Sequence, residues 1–313
     1  VLGLALGNGW YRGKLTWLGA RALYGSELAA FAQLEITFAD GHRQLVVTDD
    51  SWSAGPSAVL ANDLYDGQTI DARRTSVGWQ SPGFESGEWT TVHETDFDTS
   101  VLTPYRGPPV RRLMELPVIR SWTSPAGKML VDFGQNLVGW LRLRITGRSG
   151  EEIVVRHAEV LEHDELGVRP LRSAAATDRF ILSGGDDVFE PTLTFHGFRY
   201  AEIEGWPGEF DPAQVTAVVV GSELRRTGEF SCSDDLLNQL HTNAVWGTRG
   251  NFLDVPTDCP QRDERLGWTG DIAVYAPSAA YLFDVEGFIR DWLLDLSAEQ
   301  RAADGLVAYV VPD

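Results

Sequence analysis

The chain is poor in the residues that build several common kinds of site. Two cysteines in 313 residues, Cys232 and Cys259, exclude a disulfide framework and leave one optional bridge, with two unpaired thiols the simpler reading. The six histidines (His42, His93, His157, His163, His196, His241) form no HExxH and no close Cys/His cluster, so no histidine-built zinc site is expected. Positive charge is also scarce: 26 Lys and Arg against 45 Asp and Glu give a net charge of −19. Nucleic acids and anionic membranes need basic patches, so neither is an expected partner. No run approaches the ~18 apolar residues of a membrane-spanning helix. The opening VLGLALGNGW is apolar for only a few residues and lacks a basic flank, so it does not read as a signal peptide. It also lacks an initiator Met. The chain therefore reads as cut from a longer frame, and its compartment, cytoplasmic or secreted, stays open.

What is present is ordinary globular composition, 43% apolar and 23% charged, at a length suited to two or three domains. Lys14 and Lys128 are the only lysines, so basic charge is almost all arginine, which suits bidentate pairing with carboxylates. The eleven tryptophans could stack on sugar faces or simply fill cores.

Periodicity divides the chain in three. Residues 1–105 read as a β-domain, with short apolar runs at 28–38 and 45–48 separated by turn chemistry at Asp40-Gly41, Asp66-Gly67 and Gly83. A proline-rich crossing with Pro104, Pro108, Pro109 and Pro117 leads into a second β-domain over 106–223. There Leu141, Leu143 and Ile145 alternate with Arg142 and Arg144, as in a strand with one buried and one wet face. Several short strands at this spacing suggest a sandwich.

From about Gly228 the period becomes helical. Ser231 or Ser233 could cap a helix carrying Leu236, Leu237, Leu240 and Ala244. Two further stripes, Ile272, Tyr275, Ala276, Ala279, Ala280, Phe283 and Val285, Phe288, Ile289, Trp292, Leu293, Leu296, predict an αα-hairpin within 224–313. Three helices do not close a helical domain, so this one reads as truncated, with apolar helix faces left exposed and oligomeric state not inferable.

Between the first helix and the hairpin lies a long loop. Within residues 254–271 it holds five carboxylates (Asp254, Asp258, Asp263, Glu264, Asp271), two arginines (Arg262, Arg265) and Trp268, shaped by Pro256, Pro260, Gly267 and Gly270. Long polar loops are where sites are built. Clustered carboxylates push one another's pKa upward, as a general acid requires, while the arginines pull the other way. Spacing alone leaves alternatives open. Asp271 could be only a helix N-cap, Asp263 to Arg265 surface ion pairs, and Trp268 core. Calcium is disfavoured because D-x-[DN]-x-[DN]-G is absent.

The run TDCPQRDERLGWTGD (257–271) closely resembles the catalytic loop of bacterial α-L-rhamnosidases, glycoside hydrolase family 78. GNGWYRG (7–13), TDDSWSAG (48–55), YDGQTIDAR (65–73), LVDFGQNLVGW (130–140), FHGFRYAEIEG (195–205) and EFSCSDDLLNQL (229–240) extend the resemblance over essentially the whole chain. It implies two β-sandwich-type domains followed by the first helices of an incomplete (α/α)6 toroid. The implied activity is inverting hydrolysis of terminal α-L-rhamnosyl residues in a glycoside or polysaccharide, without a cofactor or metal. By motif position Glu264 is the implied general acid. Asp258, Arg262 and Asp271 are implied to hold sugar hydroxyls, with Asp263 a further member, and Trp268 packs on the sugar's apolar side. The family's general base, a glutamate, is expected beyond position 313, so the chain by itself is expected to be inactive. Two other readings remain: a carbohydrate-binding β-module array without turnover, and a toroid hydrolase acting on another sugar.

Overall fold

The computed structural model describes every residue except Leu18 and Ser86. Its centre is a ten-stranded sheet. The strands are β1 (Val59–Asp63), β2 (Gly67–Asp71), β3 (Val110–Pro117), β4 (Arg120–Thr123), β5 (Met129–Thr146), β6 (Glu152–Ala158), β7 (Thr177–Ile181), β8 (Asp186–Phe189), β9 (His196–Glu204) and β10 (Val215–Ser222). The order is β1-β2-β7-β6-β9-β5-β10-β3, with β4 and β8 also on β5. Only the β2/β7 pair is parallel among the pairs described.

β5 makes the sheet curl. One edge of this strand carries β9 and then β8, the other β4 and then β10. Its register with β9 slips between Asp132 and Leu137. A bulge of this kind bends the strand and raises local twist. The alternation expected at 141–145 is present, with Leu141, Leu143 and Ile145 buried and Arg144 exposed. These side chains join Val131, Phe180, Phe198 and Val219 in the main core. Over 138–140 both faces are buried, because Val138, Trp140, Val218 and Val220 meet Phe195 and Leu253 on the other side. There the second face of the sheet is covered by Phe195 and by the segment that leads into the loop over 254–271.

The segment 1–105 does not stand apart from 106–223. β1 and β2 belong to it by position, yet β2 pairs with β7, register Thr69 with Arg179. Gln68 N–H also donates to Asp178 at 2.8 Å. β2 thus pairs on both sides, with β1 and with β7, and extends the sheet at what is otherwise the free edge of β7. The rest of the segment consists of two-strand ladders, among them Gln33–Thr37 with Arg43–Val47, joined through the expected turn at Gly41, φ +84.

Besides a single helical turn at Gly9–Arg12, the α-helices are α1 (Asp235–Asn251), α2 (Thr269–Leu282) and α3 (Glu286–Ala302). Asp234, not Ser231 or Ser233, caps α1: its carboxylate accepts from Leu236 N and Leu237 N. An aspartate one residue from the helix satisfies two orphan donors at once. The apolar start of α1 is exposed, with Leu236 at 81% and Leu240 at 63% of full exposure, while only its last turns are buried. α2 and α3 form the expected hairpin around Ile272, Ala279, Phe283, Phe288 and Trp292, with Phe252 stacked on Phe288 at 4.6 Å. Ala280 and Leu293, part of the expected stripes, are exposed. No helix among the described residues is long and apolar enough to cross a membrane.

Candidate active site

The loop between α1 and α2 lies directly on β9. A Cβ at Gly197 would stand 2.8 Å from the Gln261 side chain and 3.1 Å from its backbone, so only glycine permits this approach. The loop's far end is clamped by the pair Gly267/Val311, where a Cβ on Gly267 would meet Trp292 at 2.5 Å.

Arg265 is the post around which the loop folds. It is fully buried, and its guanidinium donates to the carbonyls of Leu64 (2.7 Å), Phe195 (2.7 Å) and Arg262 (2.9 Å). It lies over the rings of Phe195 and Tyr65 at 4.7 and 5.2 Å. Burial pushes its pKa down to about 10, which still leaves it charged at neutral pH. Glu264 and Arg265 both have positive φ, +102 and +53. Such conformations cost on the order of 1–3 kcal/mol each and persist only where the surroundings impose them. Here Tyr65 Oη donates to the Glu264 carbonyl at 2.5 Å, and Thr16 forms a β-bridge to Glu264. Burial pushes the Tyr65 phenol pKa far up, so it stays a donor.

This backbone turns Glu264 toward an open pocket of about 440 Å³ lined by Arg172, Asp258, Arg262, Glu264, Trp268 and Asp271. Glu264 Oε2 accepts from Nη1 of Arg262 and, at 3.2 Å, from Nη1 of Arg172. Its Oε1 accepts from the indole N–H of Trp268 at 2.8 Å. Arg262 also donates to Asp258 Oδ2 at 2.9 Å, while Asp258 Oδ1 receives Leu266 N–H at 3.1 Å. Burial raises the Asp258 pKa, against the pull of the Cys259 thiol and the Leu266 amide. Burial works against the charge of Arg262, but Glu264, Cys259 and Asp258 outweigh it and raise its pKa.

The five loop carboxylates therefore separate. Asp258 and Glu264 face one guanidinium in the pocket. Asp271 lies in the first turn of α2 with its side chain exposed at the pocket; the residue preceding the helix is Trp268, so Asp271 is not the N-cap. Asp263 turns inward and does not line the pocket: it is 3% exposed and accepts from Ser173 Oγ at 2.5 Å and Ser173 N at 3.3 Å. Asp254 sits apart, accepting from Tyr105 Oη at 3.2 Å, and the Tyr105 pKa is pushed up to about 12 by burial and that carboxylate.

Sequence reasoning missed Arg172, Ser173, Tyr65 and Trp17. Trp17 stacks on Trp268 at 6.5 Å with an interplanar angle of 21°. All four come from other parts of the chain, and none carries a local signal beyond residue type.

Two groups of side chains have metal-ligand chemistry among the described residues. In the first, Asp258, Cys259 and Glu264, the cation's place between the carboxylates is filled by Arg262. The Cys259 thiol is held protonated by burial and by Asp258. In the second, His157, Asp178 and His196 are fully buried in the sheet. The two imidazoles stack at 4.2 Å and 19°, with His196 Nε2 3.1 Å and His157 Nε2 3.9 Å from Asp178 Oδ2 and His157 Nδ1 on the Ala176 carbonyl. That arrangement suits a buried carboxylate network better than a converging ligand set.

Comparison with known proteins decides the family. Three family models cover the chain in succession. They are the alpha-L-rhamnosidase N-terminal domain over 1–114, the bacterial alpha-L-rhamnosidase concanavalin-like domain over 123–221, and the bacterial alpha-L-rhamnosidase 6 hairpin glycosidase domain over 225–313. The chain belongs to the bacterial α-L-rhamnosidase family. It is 44% identical over 308 residues to an alpha-L-rhamnosidase of Streptomyces avermitilis, across 97% of this chain and 30% of that protein. An alpha-L-rhamnosidase of Alteromonas sp. is 37% identical across 100% of this chain and 34% of its own length. The crystal structure of native alfa-L-rhamnosidase from Aspergillus terreus matches with TM-score 0.95 at 44% identity, over 97% of this chain and 36% of that one. The S. avermitilis enzyme complexed with L-rhamnose gives 0.93 at 43%, over 98% and 30%. The chain thus spans about a third of the length of these rhamnosidases. Its fold is that of the family: β-domains followed by the first helices of the six-hairpin domain.

Proposed function

We propose that this chain provides the acid side and part of the sugar site of an inverting α-L-rhamnosidase acting on rhamnose-containing glycosides. The observation that carries the reading is the pocket in which Glu264 is shared by Arg262, Arg172 and Trp268, with Asp258 and Asp271 beside it. A rhamnosidase 43% identical to this chain has been crystallised with L-rhamnose. Glu264 is assigned as the general acid that protonates the glycosidic oxygen. Arg262, Asp258 and Asp271 supply donors and acceptors for vicinal hydroxyls, and Trp268 offers an apolar plane to the 6-deoxy face. Asp263, turned away from the pocket, supports its wall.

Inversion requires a second carboxylate about 6.5–9.5 Å from the acid, leaving room for water. Asp258 is not that base: its ligating oxygen lies within 4.8 Å of that of Glu264, and Arg262 fills the gap. With Asp271 assigned to the sugar hydroxyls, this reading assigns the base outside this chain. The test is hydrolysis of methyl and p-nitrophenyl α-L-rhamnoside by the complete reading frame and by Glu264→Gln, with the first anomer followed by NMR; the methyl glycoside, whose leaving group needs its proton, reads the acid. A loss of about 10²–10⁴-fold in the variant and inversion in the wild type are expected. Retained activity of Glu264→Gln on the methyl glycoside would remove the acid assignment. Turnover of another nitrophenyl glycoside, with none of the rhamnoside, would move the reading to another sugar.

A further inference from the structure

We infer that Arg172, delivered from the connection between β6 and β7 rather than from the loop, is a positioning residue that fixes which oxygen of Glu264 carries the transferable proton. The inference rests on Glu264 being the general acid.

The argument is a count of lone pairs. Each carboxyl oxygen offers two. On Glu264 Oε2 both are taken, by Nη1 of Arg262 and Nη1 of Arg172 at 3.2 Å. Oε1 holds only the Trp268 indole N–H at 2.8 Å and keeps one lone pair. A guanidinium has donors only, so a hydrogen cannot sit on Oε2 without expelling an arginine. The proton therefore rides on Oε1, beside the Trp268 ring that lines the pocket. In the chemical step the Oε1–H bond breaks and an O–H bond forms on the glycosidic oxygen. The C1–O bonding pair goes to that oxygen, and water, losing its proton to the base, attacks C1. Glu264 is left as a carboxylate facing two guanidiniums. Without Arg172, Oε2 regains a lone pair and the acid can be protonated facing the wall.

Arg172 is held for this task. It follows a short 3-10 turn, Arg169–Leu171, with φ +55. The next residue, Ser173, is pinned to buried Asp263 through both its backbone N–H and its hydroxyl. Asp263 Oδ1 lies 3.7 Å from the Arg172 guanidinium itself. Further along, the Ala176 carbonyl receives both the backbone N–H and Nδ1 of buried His157 at 3.0 Å. Asp263 thus acts one step back from the pocket, by anchoring the segment that carries Arg172. The Arg172 side chain itself is 52% exposed, so replacing it does not hollow the core.

The experiment compares Arg172→Gln and Arg172→Lys with wild type in the complete reading frame, on p-nitrophenyl and methyl α-L-rhamnoside. Nitrophenolate leaves with little help, whereas methoxide needs its proton. The expected result is a kcat loss about tenfold larger on the methyl glycoside than on the nitrophenyl glycoside, with KM little changed and partial recovery in Arg172→Lys. Equal losses on both substrates, or an effect on KM alone, would overturn the inference while leaving the rhamnosidase reading intact. A wild type inactive on both glycosides would remove that reading and this inference with it.

Discussion

The central sheet and the loop that lies on it each bury a charge, of opposite sign and by opposite means. In the sheet, Asp178 is 1% exposed and is met by His196 Nε2 at 3.1 Å, by His157 Nε2 at 3.9 Å and by Gln68 N–H. In the loop, Arg265 is 0% exposed and is met by neutral carbonyl oxygens and two aromatic faces. The buried anion depends on side chains that can titrate, the buried cation on dipoles that cannot. The contacts of Arg265 are therefore indifferent to pH across the range in which the sheet's network changes. Asp258 and Glu264, themselves nearly buried and paired with Arg262, stand beside that post at the pocket.

Removing the post should break this contrast most severely. Arg265→Leu leaves the carbonyls of Leu64, Phe195 and Arg262 buried without donors. Each such group costs about 1–3 kcal/mol, so the three together cost on the order of 3–9 kcal/mol. Urea unfolding should show that loss, with rhamnoside hydrolysis abolished in parallel. A loss below about 1 kcal/mol would mean the loop is held by its clamps at Gly267 and Thr16 instead.

The sheet's network should show itself in pH. Burial and His196 push the His157 pKa down from 6.5 to about 3. Burial alone would raise the Asp178 carboxyl, but the two imidazoles and Gln68 N–H outweigh it and lower its pKa. In both cases the unfolded chain binds protons that the folded chain refuses, so acidification favours unfolding. The His157 contribution is complete above about pH 6.5 and is lost progressively toward about 3. That of Asp178 is lost only at lower pH, below its unfolded value of 3.8. Wild-type stability should fall by about 1.4 kcal/mol per pH unit for the His157 proton over this window. His157→Gln should flatten that slope, measured as urea midpoints at pH 7 and 5. Unchanged slopes would show that another group refuses the proton.

The same contrast explains what could be read from sequence. The alternation at 141–145 and the helical stripes of α2 and α3 were legible because one face meets water and the other does not. The polar run at 257–271 was legible because all its charges lie in one stretch. The parallel pairing of β2 with β7 was not, since the partners stand more than a hundred residues apart and pair through backbone atoms common to all residues. Arg172 was invisible for a similar reason: its meaning comes from a contact with Glu264 across 92 residues. The fate of Asp263 was ambiguous, because a carboxylate in a motif reads alike whether it faces a pocket or a serine behind it.

The mildest test concerns Trp17, with which the N-terminal segment backs the pocket's Trp268. It stacks on Trp268 and is 46% exposed, and no bond to Glu264 runs through it. Such ring pairs contribute about 0.5–1.5 kcal/mol beyond the area they bury. Trp17→Ala should therefore raise KM for rhamnosides by at most about tenfold, through a looser Trp268 plane, while kcat holds. The Trp268 indole N–H remains able to reach Glu264 Oε1, because that bond lies within the loop and not within the stack. A fall in kcat would instead mean that the stack sets the angle of that N–H. The acid's geometry would then depend on the N-terminal segment as well as on the loop and the sheet.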